Sequence, residues 1–141
     1  MTAPANPLLG AWQLVSMAYL DEAGNVLGYP YGEQASGYIM YAPDGHMAVL
    51  ITSADRRGSD DQREQAAATA ETCLAYAGPY DYQGDRVIHH LRVSLDPDEA
   101  GAERIRFIAL DGDRLTLTSP PAPWRDGTRT TRIIWERVSR E

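Results

Sequence analysis

The chain has 141 residues and a formal net charge of −7, because 13 basic residues, all of them Arg, face 20 Asp and Glu. This length predicts one domain over residues 1–141, and 43% hydrophobic with 23% charged residues favours a soluble globular protein over a disordered one. An acidic chain without a basic cluster argues against nucleic-acid binding. No apolar run reaches the roughly 20 residues of a membrane helix.

Two further features narrow the class of protein. The stretch Met1–Asn6 lacks the basic start and apolar run of a signal peptide, so a cytoplasmic location is expected. Cys73 is the only cysteine in the sequence, which excludes an intramolecular disulfide framework and a cysteine-rich zinc site.

Short runs rich in Val, Ile, Leu, Tyr and Thr alternate with turns that contain Gly or Pro. These runs predict strands at Trp12–Leu20, Gly37–Tyr41, Met47–Thr52, Pro79–Tyr82, Arg86–Leu95, Glu103–Leu110, Leu115–Thr118 and Thr130–Val138. Tight turns join most of them, which indicates an antiparallel meander. Such a meander can close into an eight-stranded up-and-down barrel that holds one small ligand, and a β-sandwich is the alternative.

One segment interrupts the all-β pattern. Ser59 can cap a helix, and Ala and Cys then recur at helical spacing, which predicts an α-helix over about 60–77. Gly78 and Pro79 are expected to end it. The helix would pack over the barrel.

Several short segments, in order along nearly the whole chain, resemble one known family. They are Gly10-Ala11-Trp12, 37–45 (GYIMYAPDG), 76–80 (YAGPY), 84–90 (GDRVIHH), Ser94 with Pro97, and 113–117 (DRLTL). Together they are similar to the bacterial lipocalin-like domain family of calycin-type small barrels. Between Leu95 and Arg106 the chain departs from that family, because a Pro-Asn-Trp-like turn is replaced by DPDEAG.

The resemblance implies a specific contact at the closed end of the barrel. Lipocalins stack an Arg of the last strand on the Trp of the first strand, which corresponds here to Arg137 on Trp12. The alternative is a solvated surface Arg beside a core Trp.

Strand alternation singles out His89. The odd positions of the run 87–95 are apolar except for His89, so they are expected to face the interior, while His90 points to solvent. An inward imidazole could contact a ligand as a hydrogen-bond donor or general acid and base. It could also be a core histidine satisfied by a neighbouring hydroxyl or carbonyl.

Tyrosines are the second group of candidates, since the chain has eight Tyr and one Phe. Tyr80 and Tyr82 share one face of the strand before His89 and are expected to lie near it as catalytic hydroxyls. Tyr38, Tyr41 and Tyr76 are further candidates. Aromatic walls with polar tips suit a partly oxygenated ligand, although tyrosine is also a common strand residue.

The remaining candidates for ligand contact are Ser16, Arg106, Trp124 and Trp135. Ser16 would leave space above a Trp12 floor, and Trp124 either caps the barrel mouth or packs on the surface. Arg106 could anchor an anion, as buried Arg does in fatty-acid-binding proteins, but the alternation around it does not decide which face it occupies.

No motif for a metal, a nucleotide or a catalytic serine occurs, so no cofactor is expected. The leading hypothesis is a cofactor-free cyclase or isomerase acting on a partly oxygenated natural-product intermediate through His89 and tyrosine hydroxyls. This activity is implied by the resemblance. The alternatives are a carrier of a small hydrophobic ligand and an orphan structural or oligomerisation domain, and the sequence leaves open whether a homodimer forms.

Overall fold

A computed structural model describes residues 6–54, 61–62 and 72–138. The strands are β1 (Gly10–Leu20), β2 (Val26–Gly28), β3 (Ser36–Tyr41), β4 (His46–Thr52), β5 (Cys73–Tyr82), β6 (Arg86–His90), β7 (Val93–Ser94), β8 (Glu103–Asp111), β9 (Arg114–Thr118), β10 (Ala122–Trp124) and β11 (Gly127–Arg137). A 3₁₀ turn spans Pro97–Glu99.

Eight antiparallel strands of the described chain form a closed barrel, as predicted. Their order is β1, β3, β4, β5, β6, β8, β9 and β11, and pairing of β11 with β1 closes the ring. The short strands β2, β7 and β10 pair with β1, β5 and β11 at its margins. A β-sandwich is therefore excluded, because closure leaves no open edge in the main sheet.

Alternation of side chains builds the core of the barrel. In β3 and β4 every second residue is buried, so that Ile39, Val49 and Ile51 point inward. The hairpin between these strands turns at Gly45, whose φ of +94° favours glycine. The sequence pattern predicts this pair correctly because the two strands pair without an irregularity.

The prediction of a helix over 60–77 is wrong for residues 73–77, whereas Gln62 and Thr72 are helical as predicted. Residues 73–77 belong to β5 and pair with β4, with Thr52 opposite Cys73 and Ala48 opposite Ala77. Ser59, predicted as the cap, and residues 60 and 63–71 lie outside the described part. Gly78 does not end a helix but lies inside β5, where the backbone of His90 passes close to it.

Two bulges shift the face of the residues that follow them. In β1 the pairing with β11 moves by one residue between Leu14 and Ser16. Met17 therefore faces the core instead of Ser16, which lies opposite the outward Ile134. The prediction that Ser16 shares the face of Trp12 is wrong for this reason.

The predicted strand Arg86–Leu95 breaks in the same way. β5 pairs Tyr80 with His89 but Ala77 with Val93, so the second strand carries one extra residue. Inward alternation holds through Leu91 and then reverses, leaving Val93 64% exposed. The prediction that Val93 and Leu95 face inward is wrong.

One end of the barrel is closed by Trp12 and Arg137. The Arg137 guanidinium lies 4.1 Å from the centre of the buried Trp12 ring, the contact expected from the resemblance. It also donates hydrogen bonds of 2.9 Å to the carbonyl oxygens of Leu9 and Pro7. The guanidinium thus ties the segment before β1 to the end of β11.

Replacing Arg137 by Ala is expected to lower the free energy of unfolding by about 2 kcal/mol, because a cation–π contact and charge-assisted hydrogen bonds are lost together. Urea unfolding followed by Trp fluorescence measures this. Arg114→Ala, which removes an exposed Arg of β9, is the control and should change stability by less than about 0.5 kcal/mol. Equal effects of both substitutions would contradict the assigned role of Arg137.

No helix within the described ranges has the length and apolar character needed to cross a membrane.

Candidate functional site

A cavity of about 590 Å³ lies at the barrel end opposite Trp12. Its wall combines apolar side chains such as Met17 and Leu74 with the hydroxyl-bearing Tyr19, Tyr31 and Tyr76. A second recess of about 330 Å³ shares Tyr31, Leu74 and Tyr76 with it. These volumes suit a small organic molecule.

Arg106 contributes one of the positive charges of the cavity wall. In the β6–β8 pairing it lies opposite the buried Val87, which places it on the inner face of β8. Its guanidinium donates to the carbonyl oxygen of Ile105 at 2.9 Å, and no carboxylate of the described residues lies within ion-pair distance. Burial lowers the pKa of Arg106, while the nearby Tyr76 has the opposite effect. The guanidinium stays charged, because the pKa of Arg is very high.

Two other arginines line the cavity but have partners. Arg104, opposite His89 in the sheet, forms a 2.6 Å ion pair with Glu99. The guanidinium of Arg129 lies 3.8 Å from the centre of the Tyr19 ring and 5.4 Å from that of Trp124. Arg106 is therefore the arginine of this wall that is free to meet an anionic group of a ligand.

His89 lies beneath this wall with both ring nitrogens engaged. The imidazole is 1% exposed. Its Nε2 is 2.6 Å from the hydroxyl oxygen of Tyr41, and its Nδ1 is 2.7 Å from the hydroxyl oxygen of Tyr76. Tyr76 faces the cavity, so the chain of hydroxyl, imidazole and hydroxyl ends at the ligand space.

Burial determines the protonation of this chain. It lowers the pKa of His89 to about 3, with a further contribution from the charge of Arg106. Burial also raises the pKa of Tyr41 and of Tyr76, and Arg106 opposes that rise in both. Near pH 7 the imidazole is therefore neutral and both phenols keep their protons.

Tyr80 and Tyr82, predicted as catalytic hydroxyls, do not reach His89 through their hydroxyls. Tyr80 lies opposite His89 in the sheet, but its hydroxyl donates to the carbonyl oxygen of Ala42 at 2.8 Å and accepts from Asn6 at 3.0 Å. Tyr82 packs against the core. The hydroxyls on the imidazole come from Tyr41 and Tyr76 instead.

The other predicted contact residues divide into three groups. Tyr41 and Trp135 are buried in the core below the cavity, and neither lines it. Tyr38, on the outer face of β3, is 47% exposed. Ser16 also lies on the outer face, and Trp124 contacts the guanidinium groups of Arg125 and Arg129 beside the cavity. Of the predicted ligand contacts, Arg106 and Tyr76 line the cavity.

The structure adds residues that the sequence did not single out. Tyr19, Tyr31, Arg104 and Arg129 line the cavity. The signal for Arg104 was present, since it alternates with Arg106 on the same strand. Tyr31 and Arg129 carried no pattern, because they reach the cavity through the ends of strands and loops.

The described residues contain no group of three or more His, Cys, Asp or Glu side chains placed to hold a metal ion. The polar groups of the cavity wall include guanidinium and phenol groups, which can donate hydrogen bonds to oxygen atoms of a ligand, and the carboxylates of Glu99 and Glu103, which only accept.

The chain was compared with family models, curated proteins and solved structures. Residues 9–138 match a family model described as lipocalin-like domain. A lipocalin-like protein from Bacteroides uniformis is 14% identical, with a TM-score of 0.48, and the match covers 93% of this chain and 98% of that one. An uncharacterized protein from Bacteroides eggerthii is 12% identical, with a TM-score of 0.48, over 93% and 99% of the two chains. No curated protein matches the chain. Because the family model spans nearly the whole chain, the protein belongs to the lipocalin-like domain family.

Proposed function

We propose that this barrel binds a small, partly oxygenated organic anion at its open end and catalyses a cofactor-free isomerisation or cyclisation of it. The observation that carries the proposal is the part-buried guanidinium of Arg106 near Tyr76 on one cavity wall. The family fold is consistent with small-molecule binding.

Arg106 supports an anionic ligand on energetic grounds. A part-buried guanidinium without an ion-pair partner is partly desolvated, and an incoming carboxylate or enolate oxygen offsets that cost. The guanidinium can hold such a group through two parallel hydrogen bonds. Met17 and Leu74 supply apolar surface for the rest of the molecule.

Tyr76 supports the proposed chemistry. Its phenol keeps its proton near pH 7 and can donate a hydrogen bond to a carbonyl oxygen, stabilising negative charge that develops there during rearrangement. The proton stays on Tyr76, and isomerisation or cyclisation conserves the atoms and electrons of the substrate. No co-reactant is then needed. Enclosure of a flexible substrate adds the benefit of a fixed reactive conformation.

A carrier is the second candidate, and the state of His89 favours it. Both ring nitrogens are occupied, and the low pKa keeps the imidazole neutral, so His89 itself is not placed to exchange protons with a ligand. In a carrier, Arg106 and Tyr76 would only orient the bound molecule.

Binding is tested with an anionic aromatic probe, 8-anilinonaphthalene-1-sulfonate, by fluorescence titration of the folded protein. Arg106→Gln is expected to weaken probe binding at least about tenfold, since a charge-assisted hydrogen bond contributes roughly 1.5–3 kcal/mol. Arg86→Gln is the matched control, because it removes the same charge from an outward position next to Asp85. Equal weakening by both substitutions, or none by either, would contradict the anion site.

An enzyme is distinguished from a carrier by identifying a molecule retained by the protein and following its mass and its chromatographic retention. Native mass spectrometry of the purified protein should reveal a bound compound that acid releases. An enzyme converts added compound into an isomer of identical mass but different chromatographic retention, and Tyr76→Phe slows this conversion more than it weakens binding. A compound that is bound and released unchanged would identify a carrier.

A further inference from the structure

We infer that Tyr41, acting through His89, turns the hydroxyl proton of Tyr76 into the cavity, so that the ligand group bound there is a hydrogen-bond acceptor. A carbonyl or carboxylate oxygen meets this requirement, and an alcohol or amine hydrogen does not. The orientation of the Tyr76 proton does not depend on the proposed function. Only the identity of the ligand group that accepts this proton rests on it.

The imidazole of His89 is neutral near pH 7, which limits how it can form hydrogen bonds. A neutral imidazole carries one N–H and one unprotonated nitrogen, so it donates at one position and accepts at the other. Hydroxyl oxygens lie 2.6 Å from Nε2 and 2.7 Å from Nδ1 of His89. One tyrosine must therefore donate to the ring while the other accepts from it. Burial of His89, which lowers its pKa to about 3, excludes the doubly protonated ring near pH 7.

Tyr41 is the tyrosine that donates to the imidazole of His89. Tyr41 is 2% exposed, and within the described ranges the one acceptor at hydrogen-bond distance from its hydroxyl is Nε2 of His89. A buried hydroxyl proton without an acceptor is costly. Tyr41 therefore donates to Nε2, and the ring proton of His89 resides on Nδ1.

The hydroxyl of Tyr76 lies at the other nitrogen of the ring. Its oxygen accepts the Nδ1–H of His89, so its own proton must leave in another direction. Tyr76 lines both recesses at the open end, so the proton points into space that a ligand can occupy. The positive charge of Arg106 acts on the same hydroxyl and favours an electron-rich partner there.

The roles of the two tyrosines are thus different. Tyr76 touches the ligand, whereas Tyr41 and His89 are positioning residues that never meet it. Without the Tyr41 hydroxyl, the imidazole could carry its proton on Nε2, and the Tyr76 hydroxyl could then donate its proton to Nδ1. The hydroxyl of Tyr76 would lose its fixed direction without losing its place.

The tautomer of His89 tests this directly in the protein without ligand. Two-bond ¹H–¹⁵N correlation spectra of ¹⁵N-histidine-labelled protein at pH 7 distinguish the Nδ1–H and Nε2–H forms. The wild-type protein should show the Nδ1–H pattern for His89. Tyr76→Phe should keep this pattern, because Tyr41 still donates to Nε2, whereas Tyr41→Phe should populate the Nε2–H form.

An Nε2–H pattern in the wild-type protein would overturn the inference without any variant. Retention of a pure Nδ1–H pattern in folded Tyr41→Phe would also overturn it, since Tyr41 would then not set the direction. Because these spectra need neither ligand nor turnover, they can fail while the proposed function stands, and the proposed function can fail while they succeed.

A matched pair of probes tests the expected class of ligand. Acetophenone carries an acceptor oxygen, and 2-phenylpropene replaces it by an isosteric methylene group. The ratio of their affinities, measured by NMR titration, should fall about fivefold in Tyr76→Phe, which is the size expected for one neutral hydrogen bond. An unchanged ratio would contradict the acceptor specificity. Absence of binding by both probes would count against the proposed function and not against the tautomer.

Discussion

Replacing Gly78 by Ala is expected to lower the free energy of unfolding by about 3 kcal/mol or more, which would leave a marginally stable protein largely unfolded. A Cβ atom at this position would overlap the carbonyl oxygen of His90 and lie 3.0 Å from the amide nitrogen of Arg92. Both are backbone atoms of the adjacent strand segment, so no side-chain rotation relieves the overlap. The bulge between β6 and β7 would have to open.

The control is Gly28→Ala in β2, where a Cβ would meet nothing within 4 Å. This substitution should change stability by less than about 0.5 kcal/mol. Urea unfolding followed by circular dichroism measures both variants. If Gly78→Ala were as stable as Gly28→Ala, the close approach of the two strands at the bulge would not exist in solution.

The same glycine shows where sequence patterns mislead. Small residues at helical spacing before Gly78 and Pro79 predicted a helix that ends there. In β5, however, Ala75 and Ala77 lie opposite Leu50 and Ala48 of β4. Small side chains are compatible with both structures, and the glycine is required by a backbone approach from a strand that is distant in sequence. Pairing with distant strands, rather than local periodicity, decides this segment.

The barrel itself was predictable, because eight alternating runs with tight turns favour closure. The bulges were not, since each depends on how two strands meet. The extra residue near Val15 carries no glycine or proline that would mark it, yet it exchanges Ser16 for Met17 on the inner face. The extra residue in the segment before Val93 likewise exchanges the inner and outer faces for Val93 and the residues after it. A shift of one residue reverses every later assignment.

The site was predicted in part for the same reason. Inward placement of His89 followed from alternation over positions that precede the bulge, and the structure agrees. Tyr76 was a candidate as one of several tyrosines, but its contact with His89 could not be predicted, because residue 76 lay in the predicted helix and not in a strand. Arg106 could not be placed from sequence, since apolar residues occupy both faces of β8. Its pairing with Val87 settles that it faces inward.

Acid is expected to destabilise the protein through His89. The pKa of the folded-state imidazole is about 3, against 6.5 as its ordinary value. Between these values the unfolded chain binds a proton that the folded protein does not, so the contribution of His89 to stability falls as the pH decreases below about 6.5. Each pH unit in this window costs about 1.4 kcal/mol, or about 2 kcal/mol at pH 5. Above pH 6.5 the contribution is fully present.

Comparison of wild type with His89→Gln isolates this effect from the titration of carboxylates, which both proteins share. The amide of Gln can donate and accept hydrogen bonds but takes up no proton. At pH 7 the variant should be less stable than wild type by about 2 kcal/mol, because the amide does not reproduce both hydrogen bonds of the imidazole. In urea unfolding experiments that difference should narrow below about pH 6.5, vanish near about pH 5 and reverse in sign towards about pH 4.5. His46→Gln, which removes an exposed imidazole, should keep the acid sensitivity of wild type. A difference between wild type and His89→Gln that stays constant with pH would mean that the imidazole of His89 titrates alike in the folded and unfolded chain, and the neutral ring between Tyr41 and Tyr76 would then be wrong.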